Sequence, residues 1–103
     1  MAYTYFDNLL DMLPEVPDDS ILSRTVHQDG PLKVILFRFA EGQELSEHTA
    51  SQPAVLYFIE GRAAVTLGGD EVRAEPGTFV HMPPRLDHSI RAESPVSMLL
   101  MLL

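Results

Sequence analysis

The sequence contains no cysteine and no tryptophan. Without thiols there can be no disulfide scaffold, no thiolate metal centre and no cysteine nucleophile. A chain without disulfides is compatible with a reducing compartment, and a cytoplasmic location is the expectation. Cationic side chains are also scarce. Seven Lys and Arg stand against fifteen Asp and Glu, for a formal net charge of −8, and the seven form no cluster. A nucleic-acid backbone or an anionic membrane surface needs a basic patch, so neither is an expected partner. Long apolar runs are missing too. The longest, Met98 to Leu103, falls far short of the roughly 20 residues that span a bilayer. The first apolar positions are interrupted by Asp7, Asn8 and Asp11, with no basic segment before them, so no signal peptide is expected. Two common catalytic signatures are absent. No serine sits in a Gly-x-Ser-x-Gly context, and Gly68-Gly69 has no following lysine or helical pattern to make a phosphate loop.

What remains is a chain of 103 residues that is 46% hydrophobic, enough for one folded domain over residues 1–103. Phe6, Leu9, Leu10 and Leu13 recur at helical spacing and predict a short N-terminal helix over residues 3–13, ended by Pro14 and Pro17. Residues 1–20 then form a helical segment and turn, and residues 21–103 a β region. Strands are predicted over 21–27, 32–39, 54–59, 62–67, 71–75, 78–82, 86–91 and 96–103, separated by Gly- and Pro-rich turns. Eight or nine short strands at this spacing indicate an all-β sandwich or barrel. Residues 54–59 and 96–103 are apolar on both faces. One face of each can line the interior, and the other must meet the N-terminal helix or a second subunit, which predicts a homodimer.

Two stretches carry more information. In the first, Gly42, His48 and Gly61 enclose a polar loop and a strand. In the second, Gly77, Pro83 and His88 enclose a strand and a rigid Pro-Pro corner. Their spacing resembles the two motifs of the cupin superfamily, Gly-x5-His-x-His-x3/4-Glu-x6-Gly and Gly-x5-Pro-x-Gly-x2-His-x3-Asn. The resemblance covers about half of the chain. It implies a jelly-roll β-barrel (a double-stranded β-helix, RmlC-like) and often a metal held between the sheets by three histidines and a glutamate. Here Ala50 stands at the second histidine, Ala54 at the glutamate, Arg85 at the middle glycine of the second motif and Ala92 at its asparagine.

The resemblance therefore makes His48 and His88 the candidate metal ligands, with Gln52 as an amide oxygen donor from the same loop. Two imidazoles alone make a weak site for a divalent transition metal such as Fe, Mn, Ni or Zn. A barrel with no metal is the equal alternative. His81 lies in step with Phe79, and if that face is interior it adds a third imidazole. Leu56, Phe58 and Phe79 are the expected apolar lining of a pocket. Glu41, Glu44 and Glu47 form an acidic rim. Two functions follow from the resemblance. One is a barrel that binds a small molecule, through the histidines or a weak metal. The other is a metal-dependent enzyme, a dioxygenase, isomerase or decarboxylase acting on a small organic acid or sugar. Whether the chain is an enzyme stays open at this point, and fold alone assigns no reaction.

Overall fold

Gly- and Pro-containing turns divide the chain into nine strands: β1 (Ile21–Asp29), β2 (Leu32–Phe39), β3 (Glu44–His48), β4 (Ala54–Glu60), β5 (Ala63–Leu67), β6 (Asp70–Ala74), β7 (Phe79–Met82), β8 (His88–Ala92) and β9 (Val96–Leu102). These are the elements of a computed structural model that describes residues 2–103, apart from the side chains of Glu47 and His48. The strands form a five-stranded sheet in the order β1-β2-β9-β4-β7 and a four-stranded sheet in the order β3-β8-β5-β6. Every pairing between them is antiparallel. The all-β jelly roll is thus the fold. Among the described residues, no helix is long and apolar enough to cross a membrane.

The two sheets close on each other because their inner faces complement each other in size. The large sheet turns Phe39, Leu56, Phe58, Met82 and Met98 inward. The small sheet meets them with short side chains. Ala74, Ala63 and Ala92 are direct partners across three neighbouring strands, and Val65 pairs with Ile90 in the next inward row. Large residues opposing small ones allow close packing without voids. Each fully buried Leu or Phe stabilises the fold by roughly 1.5–3 kcal/mol.

Two elements differ from the sequence expectation. The N-terminal helix is shorter than residues 3–13 and is a single 3-10 turn over Leu9–Met12. The Asn8 side chain caps it by accepting the Leu10 N–H at 3.2 Å. Pro14 follows immediately, and Tyr3, Thr4 and Tyr5 are weak helix formers. Too few residues remain to offset the cost of helix nucleation. The segment runs instead along the outside of the β1–β2 pair, where Tyr3, Phe6 and Leu9 border Val26 and Val34 around a groove of about 520 Å³. It is tied down by two arginines. Arg24 Nη1 donates to the Met12 carbonyl at 3.1 Å, and Arg38 Nη1 donates to the Leu13 and Pro14 carbonyls at 3.4 and 2.9 Å.

The second difference is β3, where the sequence pattern predicts a polar loop. Glu44 to His48 pairs with β8 instead. Leu45 is the only apolar residue of the strand, so its alternation is too faint to see in one sequence.

Candidate functional site

The third inward row of the small sheet, at its opposite end from the alanine row, holds Leu67, His88 and position 48 as cross-strand partners. The chain itself fixes what else lies at this end. Residues 83–87 connect Met82 on β7 to His88 on β8. Residues 49–53 connect position 48 on β3 to Ala54 on β4. Met82 and Ala54 are in turn direct partners in the large sheet. Two five-residue loops therefore close one mouth of the barrel, and the Arg85 N–H joins them by donating to the Ala50 carbonyl at 2.8 Å.

A bulge sets which residue of β3 faces His88. Leu45 pairs with Ile90 and position 48 with His88, so β3 spends three residues where β8 spends two. With unbroken alternation, position 47 would stand opposite His88. The extra residue in β3 brings the histidine position there instead. The side-chain placement of His48 lies outside the described residues.

His88 is 4% exposed and, among the described residues, one of two polar residues in an otherwise apolar buried set. Its Nδ1 lies 3.0 Å from the Leu86 carbonyl oxygen. A carbonyl can only accept, so Nδ1 carries a proton and donates it to Leu86. A backbone carbonyl that orients the ring and fixes its tautomer is the support that imidazole ligands and imidazole hydrogen-bond acceptors both need.

The other predicted site residues divide into three groups. Gln52 is half-buried in the loop after β3, and its Oε1 accepts from Ser51 Oγ at 3.1 Å. Leu56 and Phe58 face inward and are fully buried in the core between the sheets. Phe79 and His81 do not line the interior. They pair with Tyr57 and Val55 on the outside of the large sheet, Phe79 is 63% exposed, and the inward residues of β7 are Val80 and Met82. The strand is apolar on both faces, so period-2 alternation alone could not tell the two sides apart.

A family model of the cupin domain matches residues 35–102. The chain belongs to the cupin family. No functionally curated protein matches the sequence. Solved structures agree with this cupin in fold. A cupin superfamily protein from Desulfitobacterium hafniense superposes with a TM-score of 0.86 at 23% identity, over 92% of this chain and 86% of its own. A conserved protein of unknown function from Streptococcus pyogenes gives 0.86 at 25% identity, over 100% and 90%. KdgF from Halomonas sp. gives 0.79 at 21% identity, over 97% and 92%.

As a cupin, the chain departs from the family's usual metal site in its donors. At the glutamate position, Ala54 is buried and its methyl is part of the core. At the second histidine position, Ala50 supplies only a backbone carbonyl, already accepting from Arg85. Among the described residues, no three His, Asp or Glu side chains converge. Three imidazoles and a carboxylate are therefore not what this mouth presents. Arg85, at the middle glycine position of the second motif, has φ at 66°, in the left-handed region that favours glycine.

A larger groove of about 680 Å³ lies elsewhere, where residues 15–19 pass the start of β9. There the Glu60 carboxylate accepts from the buried Ser97 hydroxyl at 2.6 Å and lies 3.6 Å from the Arg38 guanidinium.

Proposed function

We propose that this cupin binds a small organic molecule at the barrel mouth, with the His88 imidazole as the principal polar contact. The observation that carries the reading is the buried ring of His88, oriented by the Leu86 carbonyl. Ligand sites commonly combine an apolar wall with a few oriented polar groups. Leu67 and Leu86 supply the nearest apolar wall, and His48 is the second polar group of the same row. A divalent metal, where one binds, is held weakly by His48, His88 and the Gln52 amide oxygen. Two imidazoles and an amide carry no charge to offset the desolvation of a dication.

A second reading, a metal-dependent enzyme acting on a small organic acid or sugar, is favoured by one observation. The two histidine positions are direct partners across the β3–β8 ladder, as a shared metal would require. Alanine at the other two ligand positions weighs against it.

Elemental analysis of untagged protein, combined with thermal-shift screening of small organic acids and sugars, separates the two. The binding reading expects metal well below one equivalent after dialysis. It also expects a ligand-dependent rise in melting temperature that is lost in His88→Ala. A stoichiometric transition metal that disappears in both His48→Ala and His88→Ala would overturn it in favour of the enzyme.

A further inference from the structure

With the barrel mouth as the ligand site proposed above, we infer that the mouth selects small organic anions and that Lys33 is the residue that holds their carboxylate. Lys33 is the single lysine of the chain and is half-buried on β2. It pairs with Leu102, which pairs with Ala54, which pairs with Met82. Direct cross-strand partners share a face, and Leu102, Ala54 and Met82 all belong to the core side. Lys33 therefore stands in the inward row of the large sheet, at the end where Ala54 and Met82 border the mouth. The connections at residues 40–43, 61–62, 75–78 and 93–95 lie at the other end of the barrel. They stack β2 over β3, β4 over β5, β7 over β6 and β9 over β8, in the order of both sheets. His88 on β8 thus faces the strand of Leu102, and Lys33 enters from the next strand, about 4.8 Å to the side.

Charge and place both select an anion. The residues that share the two facing rows with Lys33 are neutral side chains and imidazoles, so Lys33 is the one full charge there at neutral pH. Lysine is rarely turned inward unless something pairs with it. Among the described residues, every ion pair is made by an arginine, and Lys33 takes part in none. Carboxylates that could compete for it lie elsewhere. Glu44 pairs with Arg91, and Gly42, beside Glu41, donates to the Ala92 carbonyl, which puts both acids at the far end of the barrel. Asp29 lines the groove on the outer side of the β1–β2 pair, and Asp87 is exposed. A ligand carboxylate at Lys33 neutralises the ammonium and leaves the apolar part of the molecule against Leu102, on the way to His88. One cation matches one carboxylate, so monocarboxylates are favoured over ligands with two or three.

Calorimetric titration of the whole chain with butyrate, lactate and benzoate, each beside its own amide, tests the inference. The wild type is expected to bind the acids, and the amides about tenfold more weakly, for want of a charge-assisted hydrogen bond. Lys33→Met should bring the acids down to the level of the amides and leave the amides unchanged. Lys33→Arg should restore part of the preference. His88→Ala should weaken acids and amides alike, because it removes the contact on which the mouth as ligand site depends. The single lysine also gives a readout that needs no variant, and so decides the matter if Lys33→Met fails to fold. Reductive methylation with carbon-13 formaldehyde yields one lysine side-chain resonance, expected to shift with the acids and to stay in place with the amides. Acids that bind Lys33→Met as tightly as the wild type, or that leave the lysine resonance unmoved, overturn the inference while the mouth remains the ligand site. A wild type that binds none of the three acids at about 10 mM overturns it as well. Acid binding undiminished in His88→Ala overturns the mouth as ligand site, and the role of Lys33 with it.

Discussion

Gly61, between β4 and β5, is the position where a single methyl group should do most damage. A Cβ added there would lie 2.0 Å from the Pro95 carbonyl oxygen and 2.9 Å from both the Pro95 carbonyl carbon and the Val96 Cα. All three are backbone atoms, so no side chain can rotate away. Val96 opens β9, is buried, and pairs with Phe39 in the core, so retreat would pull on the central strand of the large sheet. The residue also has φ at +87°, which costs an L-residue about 1–2 kcal/mol. Displacing packed backbone adds about 1–3 kcal/mol. Gly61→Ala should therefore lose about 2–5 kcal/mol, a large part of the stability of an ordinary domain. Gly77 separates the two contributions. Its φ is +94°, and nothing lies within 4 Å of an added Cβ. Gly77→Ala should lose only the conformational part, about 1–2 kcal/mol. Urea unfolding followed by far-ultraviolet circular dichroism gives both values, and the lack of tryptophan makes tyrosine emission the second probe. If the two variants fall within about 0.5 kcal/mol of each other, the clash with Pro95 is not real and the reasoning fails.

Two further outcomes follow from the same geometry. Arg85 is exposed and holds φ at 66°, so Arg85→Gly should raise stability by about 0.5–1 kcal/mol once the greater freedom of the unfolded glycine is counted. A lower melting temperature would show that the arginine side chain contributes more than its backbone strain removes. Arg38→Met deletes the donor to the Leu13 and Pro14 carbonyls while keeping the aliphatic stem. Limited proteolysis within residues 8–18 should then quicken about tenfold with the barrel intact; unchanged cleavage would mean that apolar contacts alone hold the segment.

The sequence shows the barrel clearly and the mouth only in part. Gly and Pro at the turns and β-branched residues between them locate eight of the strands to within a few residues, because those signals act over short range. β3 escapes notice because Glu44, Ser46 and Glu47 are polar and Leu45 alone marks an inward side. Its bulge is invisible for another reason: a register shift is a property of two strands, and β8 lies forty residues further on. The placement of Phe79 and His81 fails on a different physical ground. Phe79 is the largest apolar residue of β7, and size argues for the interior; yet Val80 and Met82 take the inward side. Alternation fixes which residues travel together and leaves the side undecided when both are apolar. His88 was legible by motif spacing, whereas its carbonyl-fixed tautomer depends on the corner at residues 83–87 and could be found only in three dimensions.

The central place of β9 has a consequence for how the protein is made. β9 follows every other strand in the chain, yet it joins β2 to β4. While a ribosome is still adding residues 96–102, the β1–β2 ribbon and the β4–β7 pair have no bond between them. Each exposes an open edge flanked by apolar side chains, the condition under which strands recruit foreign partners. A nascent chain stalled before Val96, or a product clipped there, is for that reason a template for aggregation and not a weakened version of the barrel.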